Sequence, residues 1–281
     1  MMEKDNRARF YVPDLVEGAE VALPPTEAHH AAHVLRLAPG AAVELFDGCG
    51  RAASARISTV RRGDVTATVE NVRGPVARPG PAVHLAFAVP KGIRLDWLIH
   101  KTTELGVATL RPVRFERSVA GAGEFSEAKR AKWLAHAVAA AKQSGLDYLP
   151  AIEDPLPLEE FAATGGPGIY GDLATDARPI AEVLRSLAAG GPQNLERSPA
   201  AGGAQNLERS LAAGESQKLA RSLAVVVGPE GGLTEAERAA LRAGSFAPVR
   251  LGRTTLRIET AAVALVAAIA ALTADTAQPP H

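Results

Sequence analysis

The chain has 281 residues, of which 47% are hydrophobic, and its 31 lysine and arginine residues balance 31 aspartate and glutamate residues. This length is sufficient for two domains, and a zero formal net charge argues against a protein that binds nucleic acid through overall charge. The single cysteine, Cys49, excludes an internal disulfide and indicates a reducing compartment such as the cytoplasm. The amino terminus is charged, and the longest apolar run, residues 261–272, is too short for a bilayer, so neither a signal peptide nor a membrane span is predicted.

Charge is distributed unevenly along the chain. Basic residues outnumber acidic ones in residues 80–150, and the reverse holds in residues 151–281. Because local charge matters more than the sum, we expect an RNA-binding surface to draw on the first half.

Residues 1–78 are predicted to form a small β domain. Three segments alternate between apolar and polar side chains and are separated by glycine-containing turns: residues 42–46, 53–60 and 65–72. A short helix is predicted over residues 26–37, with Thr26 as its cap. His30 and His33 would share one face of this helix, but neither a cysteine nor a second acidic helix supplies further ligands, so no metal site is predicted.

A linker rich in proline and glycine, residues 78–81, precedes a second pattern over residues 82–281. Strands here alternate with helices, which is typical of a largely parallel α/β sheet. We predict strands at 83–89, 109–113, 169–173 and 223–227, and helices at 94–105, 126–144 and 259–273. A twelve-residue repeat built on Arg-Ser-Leu-Ala occupies about 185–221; it is interpreted as an insertion and is assigned no chemistry.

Residues 225–235, Val-Val-Val-Gly-Pro-Glu-Gly-Gly-Leu-Thr-Glu, join a buried strand to a helix that Thr234 is placed to cap. The glycines Gly228, Gly231 and Gly232 are expected to allow positive φ angles and to let a ligand approach bare backbone. The loop has neither the Lys-Ser or Lys-Thr of a P-loop nor the spacing of a dinucleotide fingerprint. From this loop alone, a tight turn without a ligand is an equally good interpretation.

A second stretch, residues 249–261, again predicts a strand, an irregular loop and a helix: Val-Arg-Leu-Gly-Arg-Thr-Thr-Leu-Arg-Ile-Glu-Thr-Ala. The two loops in this order resemble those of the SPOUT methyltransferases, and most closely the RsmE family, which methylates N3 of a uridine in small-subunit ribosomal RNA. The resemblance covers nearly the whole chain. It extends to further segments, which are residues 9–12, 30–36, 39–40, 45–48, 90–92 and 101–107.

The resemblance implies an α/β fold in which a SPOUT-type α/β knot catalytic domain follows an N-terminal PUA-like β-barrel domain that binds RNA. It also implies S-adenosyl-L-methionine as the cofactor, and 16S ribosomal RNA or the small ribosomal subunit as the partner. A cytoplasmic homodimer with the last helix at its interface is expected. The chain departs from the family at Lys142, Leu146 and Thr254, so the pairing made in relatives by the residues at 142 and 146 must be absent or rebuilt here.

The resemblance, applied position by position, implies three sets of functional residues. The cofactor-binding set is Leu173, Gly228, Pro229, Glu230, Gly231, Gly232, Leu251, Gly252, Leu256 and Arg257. The RNA-binding set is Arg9, Arg36, Lys91, Arg117 and Arg253. The catalytic set is Arg257, Glu259 and Glu230.

Methyl transfer from a sulfonium requires positioning of the acceptor and removal of a weakly acidic proton. Arg257 could stabilise the negative charge that develops on the uridine, and Glu259 or Glu230 could take the proton or orient Arg257. A structural ion pair between Arg257 and Glu259 is the competing interpretation. Asp172 or Asp176 could orient the cofactor, or either could cap the next helix.

Two other functions fit the same sequence. A SPOUT enzyme could act on another RNA atom, such as a ribose 2′-hydroxyl. A noncatalytic RNA-binding assembly factor could also retain the fold without binding the cofactor.

Overall fold

The computed structural model describes residues 7–61, 63–78, 80–118, 125–164, 166–188 and 222–274. The repeat predicted at 185–221 lies outside the described residues from 189 onward. The chain divides into two compact units, each taken separately below: Met1–Arg78 with Leu134–Pro150, and Pro79–Trp133 with Ala151–His281. Among the described residues, no helix has the length and apolar character needed to cross a membrane.

The first unit contains a five-stranded sheet. Its strands are β1 (Ala8–Tyr11), β2 (Glu20–Ala22), β3 (Ala42–Phe46), β4 (Ala52–Arg61) and β5 (Asp64–Arg73). They lie in the order β1-β3-β4-β5-β2, and every pair is antiparallel except β1 with β3. Alternate side chains, including Phe10, Leu45, Ile57 and Val69, are buried in one core. The three strands predicted in residues 42–72 are confirmed.

The helix predicted over residues 26–37 is wrong in length and in its cap. The structure has a short helix α1 (Pro25–His29) followed by a π-helical turn (His30–Val34), and Pro24 occupies the N-cap position without a side-chain cap. Pro25 is suited to the first helical position, since that residue needs no N–H donor. The π-turn ends the helix early, with the Leu35 N–H bonding to the His30 carbonyl.

Lys142, one of the positions at which the sequence is expected to depart from the family pattern, forms an ion pair inside the first unit. It lies near the end of α3 (Glu127–Ser144), and its Nζ is 2.9 Å from Oε2 of Glu27. Only 14% and 8% of the two side chains are exposed. Glu27 also accepts the N–H of Tyr11, and the ammonium group of Lys142 lies over the Phe10 ring. Lys142 is therefore paired and largely buried within this unit.

The second unit alternates strands with helices. Its strands are β6 (Ala82–Phe87), β7 (Thr109–Arg114), β8 (Ala151–Ile152), β9 (Leu156–Pro157), β10 (Gly168–Gly171), β11 (Arg178–Pro179), β12 (Ser222–Val227) and β13 (Phe246–Arg250). Besides the first part of α3, its described helices are α2 (Ile93–Glu104), α4 (Leu158–Ala163), α5 (Ile180–Ala188), α6 (Glu235–Ala243) and α7 (Ile258–Ala274). This alternation confirms the predicted α/β class; the trefoil knot stays a prediction.

The eight strands of this unit form one parallel sheet in the order β11-β13-β10-β12-β6-β7-β8, with β9 also paired to β7. The central strand β12 is apolar because it lies between neighbours and is covered on both faces; Val225 and Val226 are fully buried. The carboxyl ends of neighbouring parallel strands lie at one edge of the sheet. The loops that follow β13, β10 and β12 are therefore brought together there.

Gly168, the first residue of β10, allows a close contact that no other residue could make. A Cβ atom at this position would overlap the ring of Phe246, which is 3% exposed and pairs alongside Gly168 in the adjacent strand β13. At the other end of β10, a Cβ on Gly171 would lie 3.7 Å from Leu265, an ordinary contact.

We predict that Gly168→Ala destabilises the second unit by about 1–3 kcal/mol, since the Phe246 ring must move out of a packed core. Gly171→Ala is the matched control on the same strand and should cause no loss. Both tryptophans of the chain, Trp97 and Trp133, belong to the second unit, so urea unfolding followed by tryptophan fluorescence reports on it. Equal unfolding midpoints for the two variants would contradict this account of the β10–β13 contact.

Candidate functional site

A cavity of about 330 Å³ opens at the carboxyl ends of β13, β10 and β12. Three loops line it, residues 171–173, 227–233 and 249–256, and α7 contributes Ile258 and Ala261. We call it the glycine-loop pocket. Much of its wall is backbone, because glycines occur in all three loops, and its apolar surface comes mainly from leucine and isoleucine side chains.

The glycine loop after β12 has a different geometry from the one predicted. Only Gly232 has a positive φ, at 72°, so the positive φ predicted for Gly228 and Gly231 is wrong. A Cβ on Gly228 would press on Leu233, and a Cβ on Gly231 would lie 3.2 Å from Cβ of Arg117. The loop therefore packs closely at these two glycines, and an added Cβ would displace a neighbouring side chain, whereas Gly232 is suited to the turn by its positive φ.

Thr234 caps α6 as predicted. Its hydroxyl accepts the N–H of Glu237, and the Glu237 carboxylate accepts the N–H of Thr234, which is a reciprocal capping box. The same carboxylate accepts the N–H of Glu116 at 2.9 Å, which ties the helix start to the loop after β7. The glycine loop is thus fixed at its carboxyl end.

Nine of the ten residues predicted to bind the cofactor line the pocket: Leu173, Gly228, Pro229, Glu230, Gly231, Gly232, Leu251, Gly252 and Leu256. Arg257 is exposed and does not line it. Glu259 is 8% exposed, and its Oε2 has no hydrogen-bond partner among the described residues. An ion pair between Arg257 and Glu259 is absent from the described contacts, so the structural interpretation of that pair is not supported.

Arg238 lines the pocket as well, and sequence reasoning missed it. Its Nε lies 2.7 Å from Oδ2 of Asp172, while Oδ1 of Asp172 accepts the N–H groups of Leu173 and Ala174. Burial alone raises the pKa of Asp172, but the bonds from Arg238 and the two amides outweigh it and hold that pKa below its usual value. Arg238 thus connects α6, which follows the glycine loop, to the loop after β10.

A second ion pair between α6 and the loop after β10 lies one helical turn further along α6. Arg242 Nη2 is 2.6 Å from Asp176 Oδ2. Each partner lies four residues after its counterpart in the first pair, Arg238 and Asp172. This second pair is far more exposed, at 43% and 48%, than Arg238 and Asp172, at 19% and 9%. Neither Asp172 nor Asp176 caps the following helix; each is paired with an arginine of α6.

The residues predicted to bind RNA differ in their exposure and in their contacts. Arg9 is paired with Glu44 and Asp147 and lies over the Phe46 ring with 12% of its side chain exposed, which disfavours a phosphate contact. Arg36 and Lys91 are exposed, as is Arg253, which lies on the loop after β13. Arg117 donates to the carbonyl of Gly231 at 3.1 Å.

Within the described ranges, no group of three or more His, Cys, Asp or Glu residues could hold a metal ion. The ring centroids of His29 and His33 are 4.8 Å apart, with the rings tilted by 40°, and the Nδ1 atom of His30 lies 3.1 Å from the Lys142 ammonium group.

Asp172→Asn is predicted to loosen the loop after β10, because the neutral amide loses the charge-assisted bonds to Arg238 and to two backbone amides. Amide hydrogen exchange at Leu173 and Ala174 should accelerate. The Asp176→Asn variant is the control and should have little effect, since exposed pairs contribute about 0–1 kcal/mol. Unchanged exchange in Asp172→Asn would refute the proposed role of this carboxylate.

The same variant has a predicted pH dependence. A carboxyl group whose folded pKa is lowered stabilises the fold above its unfolded pKa, and this contribution is lost as the pH falls through the folded value. The difference in unfolding free energy between the native chain and Asp172→Asn should therefore be constant near neutrality and shrink below about pH 4. Chemical denaturation over this pH range measures it.

The chain is similar to known protein families and sequences over most of its length. A family model of the RNA methyltransferase domain matches residues 78–170 and 179–270, and one of the RNA methyltransferase PUA domain matches residues 23–70. Ribosomal RNA small subunit methyltransferase E of Mycobacterium bovis is 32% identical over 274 residues, which cover 94% of this chain and 91% of that protein. The Synechocystis protein of the same name is 30% identical over 260 residues, covering 92% and 76%.

Solved structures give the same result. The ribosomal RNA small subunit methyltransferase E of Neisseria gonorrhoeae, bound to S-adenosyl methionine, has a TM-score of 0.73 at 26% identity, covering 95% of this chain and 98% of its own. A Legionella pneumophila protein solved with the bound cofactor SAM has a TM-score of 0.74 at 25% identity, with the same coverage. From its sequence matches and its fold together, the chain belongs to the ribosomal RNA small subunit methyltransferase E family.

Proposed function

We propose that the protein transfers a methyl group from S-adenosyl-L-methionine to N3 of a specific uridine in 16S ribosomal RNA, and that it acts in the cytoplasm as a homodimer. The observation that carries the proposal is the glycine-loop pocket, which lies at the carboxyl ends of three neighbouring parallel strands. Relatives that share this fold over 95% of the chain were crystallised with that cofactor.

The residues of the pocket fit the cofactor. Backbone N–H and carbonyl groups of the three loops match the polar atoms of a ribose and an amino-acid tail, and Leu251 and Leu256 offer apolar surface to an adenine. A Cβ on Gly252 would meet nothing within 4 Å, so this part of the wall is open to a ligand. When bound, the cofactor supplies a methyl group already activated by its sulfonium.

The protein's own part is to hold the uracil base and to handle one proton. N3 loses its proton and gains the methyl group, so negative charge spreads to the neighbouring carbonyl oxygens before transfer. Arg257 is exposed, and within the described residues its guanidinium has no carboxylate partner, so it is free to stabilise that charge. Glu230 lines the pocket and Glu259 has an unpartnered carboxylate oxygen; either is suited to accept the proton.

The last helix supports the proposed dimer. Ala261, Ala264 and Ala268 are partly exposed along α7, Ala271 is exposed, and Leu272 is 48% exposed. Small side chains on such a face permit close approach of a second helix.

Cofactor binding is the first test. Calorimetric titration with S-adenosylmethionine should give one site per subunit, and Gly252→Val should weaken that binding at least tenfold because it adds a bulky side chain to an open part of the lining. The thermal midpoint of the variant serves as the control for folding. If Gly252→Val binds as tightly as the native chain, the glycine-loop pocket is not the cofactor site.

Arg257→Ala should lower turnover by about 10²–10³, the loss typical of one charge-stabilising donor, while cofactor affinity and folding are retained. The matched control is Arg185→Ala, which removes an exposed arginine of α5 that lies outside the lining of the pocket. Transfer of labelled methyl groups to unmodified small ribosomal subunits, followed by nucleoside analysis for 3-methyluridine, measures both. Equal turnover in the two variants would remove Arg257 from the mechanism.

A further inference from the structure

A second cavity, of about 160 Å³, lies beside the glycine-loop pocket. It is formed by the loops after β12, β6 and β7, which are the next neighbours along the sheet. We call it the polar recess. Its lining residues are Ala88, Val89, Pro90, Lys91, Arg94, Ser118, Pro229, Glu230 and Ile258.

Three of these residues, Pro229, Glu230 and Ile258, also line the glycine-loop pocket. The two cavities therefore share a wall. A group held in the polar recess would lie against a group held in the glycine-loop pocket, which is the arrangement that transfer between two ligands requires.

The polar recess carries hydrogen-bonding groups of both kinds. Nη1 of Arg94 lies 2.8 Å from Oε1 of Glu230, which fixes the guanidinium and carboxylate side by side. Among the described contacts, Oε2 of Glu230 and the remaining N–H groups of Arg94 are not engaged. Lys91, exposed at the edge of the cavity, adds a further donor.

Apart from Ser118, the remaining lining residues of the polar recess are apolar. Pro90 and Pro229 contribute two proline rings, and Ala88, Val89 and Ile258 supply aliphatic surface. Such walls suit a flat, uncharged ring. A phosphate group fits this cavity poorly, because the Glu230 carboxylate lies beside the Arg94 guanidinium and would repel the phosphate.

We propose that the polar recess receives the uracil ring of the target nucleotide, and that Arg94 and Glu230 determine the preference for uracil over cytosine. The proposal rests on the function proposed above. The Watson–Crick edge of uracil presents an acceptor, a donor and an acceptor in sequence. Arg94 and Lys91 donate to the two carbonyl oxygens, and Glu230 accepts from N3–H between them.

Cytosine would be rejected by the same groups. The N3 atom of cytosine is an acceptor, so its lone pair would point at a lone pair of the Glu230 carboxylate. The amino group of cytosine is a donor, and it would face Arg94 or Lys91, which are also donors. Arg94 and Glu230 are 32% and 46% exposed, so the discrimination arises when the bound base covers them and the wrong base leaves them unpaired or opposed.

The test begins with the native protein, unmodified small ribosomal subunits and saturating S-adenosylmethionine. Mass spectrometry locates the 3-methyluridine that is formed. Binding of short RNA segments that contain either uridine or cytidine at the located position is then measured with S-adenosylhomocysteine present. The native protein should bind the uridine segment more tightly.

Glu230→Gln and Arg94→Gln are expected to lower kcat/KM on the subunits by about tenfold to a hundredfold, the range for loss of a charge-assisted hydrogen bond. Glu230→Gln should also lower the ratio of uridine affinity to cytidine affinity, because a carboxamide can donate a hydrogen bond to cytosine N3. Lys132→Gln is the matched control. This variant breaks the ion pair between Lys132 and Asp96 of α2, and neither residue lines a cavity. It should leave kcat/KM and the ratio of uridine affinity to cytidine affinity unchanged.

Two negative outcomes are distinguishable. If the native protein forms no 3-methyluridine, the proposed function fails, and with it the assignment of the polar recess. If the native protein forms it while Glu230→Gln and Arg94→Gln keep the native kcat/KM and the native uridine-to-cytidine ratio, the assignment of the polar recess is overturned and the proposed function stands.

Discussion

The parallel direction of the second unit's strands is the constraint on which its two cavities depend. Because β13, β10, β12, β6 and β7 all run the same way, every loop that follows them begins at one edge of the sheet. The spatial order of these strands differs from their order in the chain, so loops that are far apart in sequence become neighbours. The loop after β12 lies in the middle of this series and borders a cavity on each side.

Loops at a sheet edge lack the ladder of hydrogen bonds that fixes the strands, so other groups must hold them. Asp172 does this for the loop after β10 by binding two of its amides, and Arg238 holds Asp172 in turn. The capping box at Thr234 and the bond from Glu237 to the Glu116 amide do the same for the glycine loop. A pocket whose walls are held in advance loses less conformational entropy when it binds its ligand.

Much of this architecture could be predicted from the sequence because it depends on local patterns. Alternation of apolar residues located the strands of the first unit, and a threonine followed by glutamate three residues later located the start of α6. The pairing of Arg238 with Asp172 could not be predicted, since the two residues are 66 positions apart and meet only when the sheet forms. For the same reason Arg9 resembled a free cation in the sequence, whereas folding pairs it with Glu44 and Asp147. Backbone φ angles at Gly228 and Gly231 also escaped prediction, because their need for glycine arises from the neighbours Leu233 and Arg117.

The two cavities would recognise their ligands by different means. In the glycine-loop pocket the contacts proposed for the cofactor are mostly backbone groups, which depend on the path of the chain and on a few glycines. Such a site tolerates wide change in its side chains. The polar recess, in contrast, presents side-chain donors and acceptors, and its selectivity depends on the identity of Arg94 and Glu230. Since Glu230 belongs to both walls, a substitution there acts on both sides of the glycine loop. Arg94 lines the polar recess alone, and a substitution there reaches the glycine-loop pocket only through the Glu230 carboxylate that it binds.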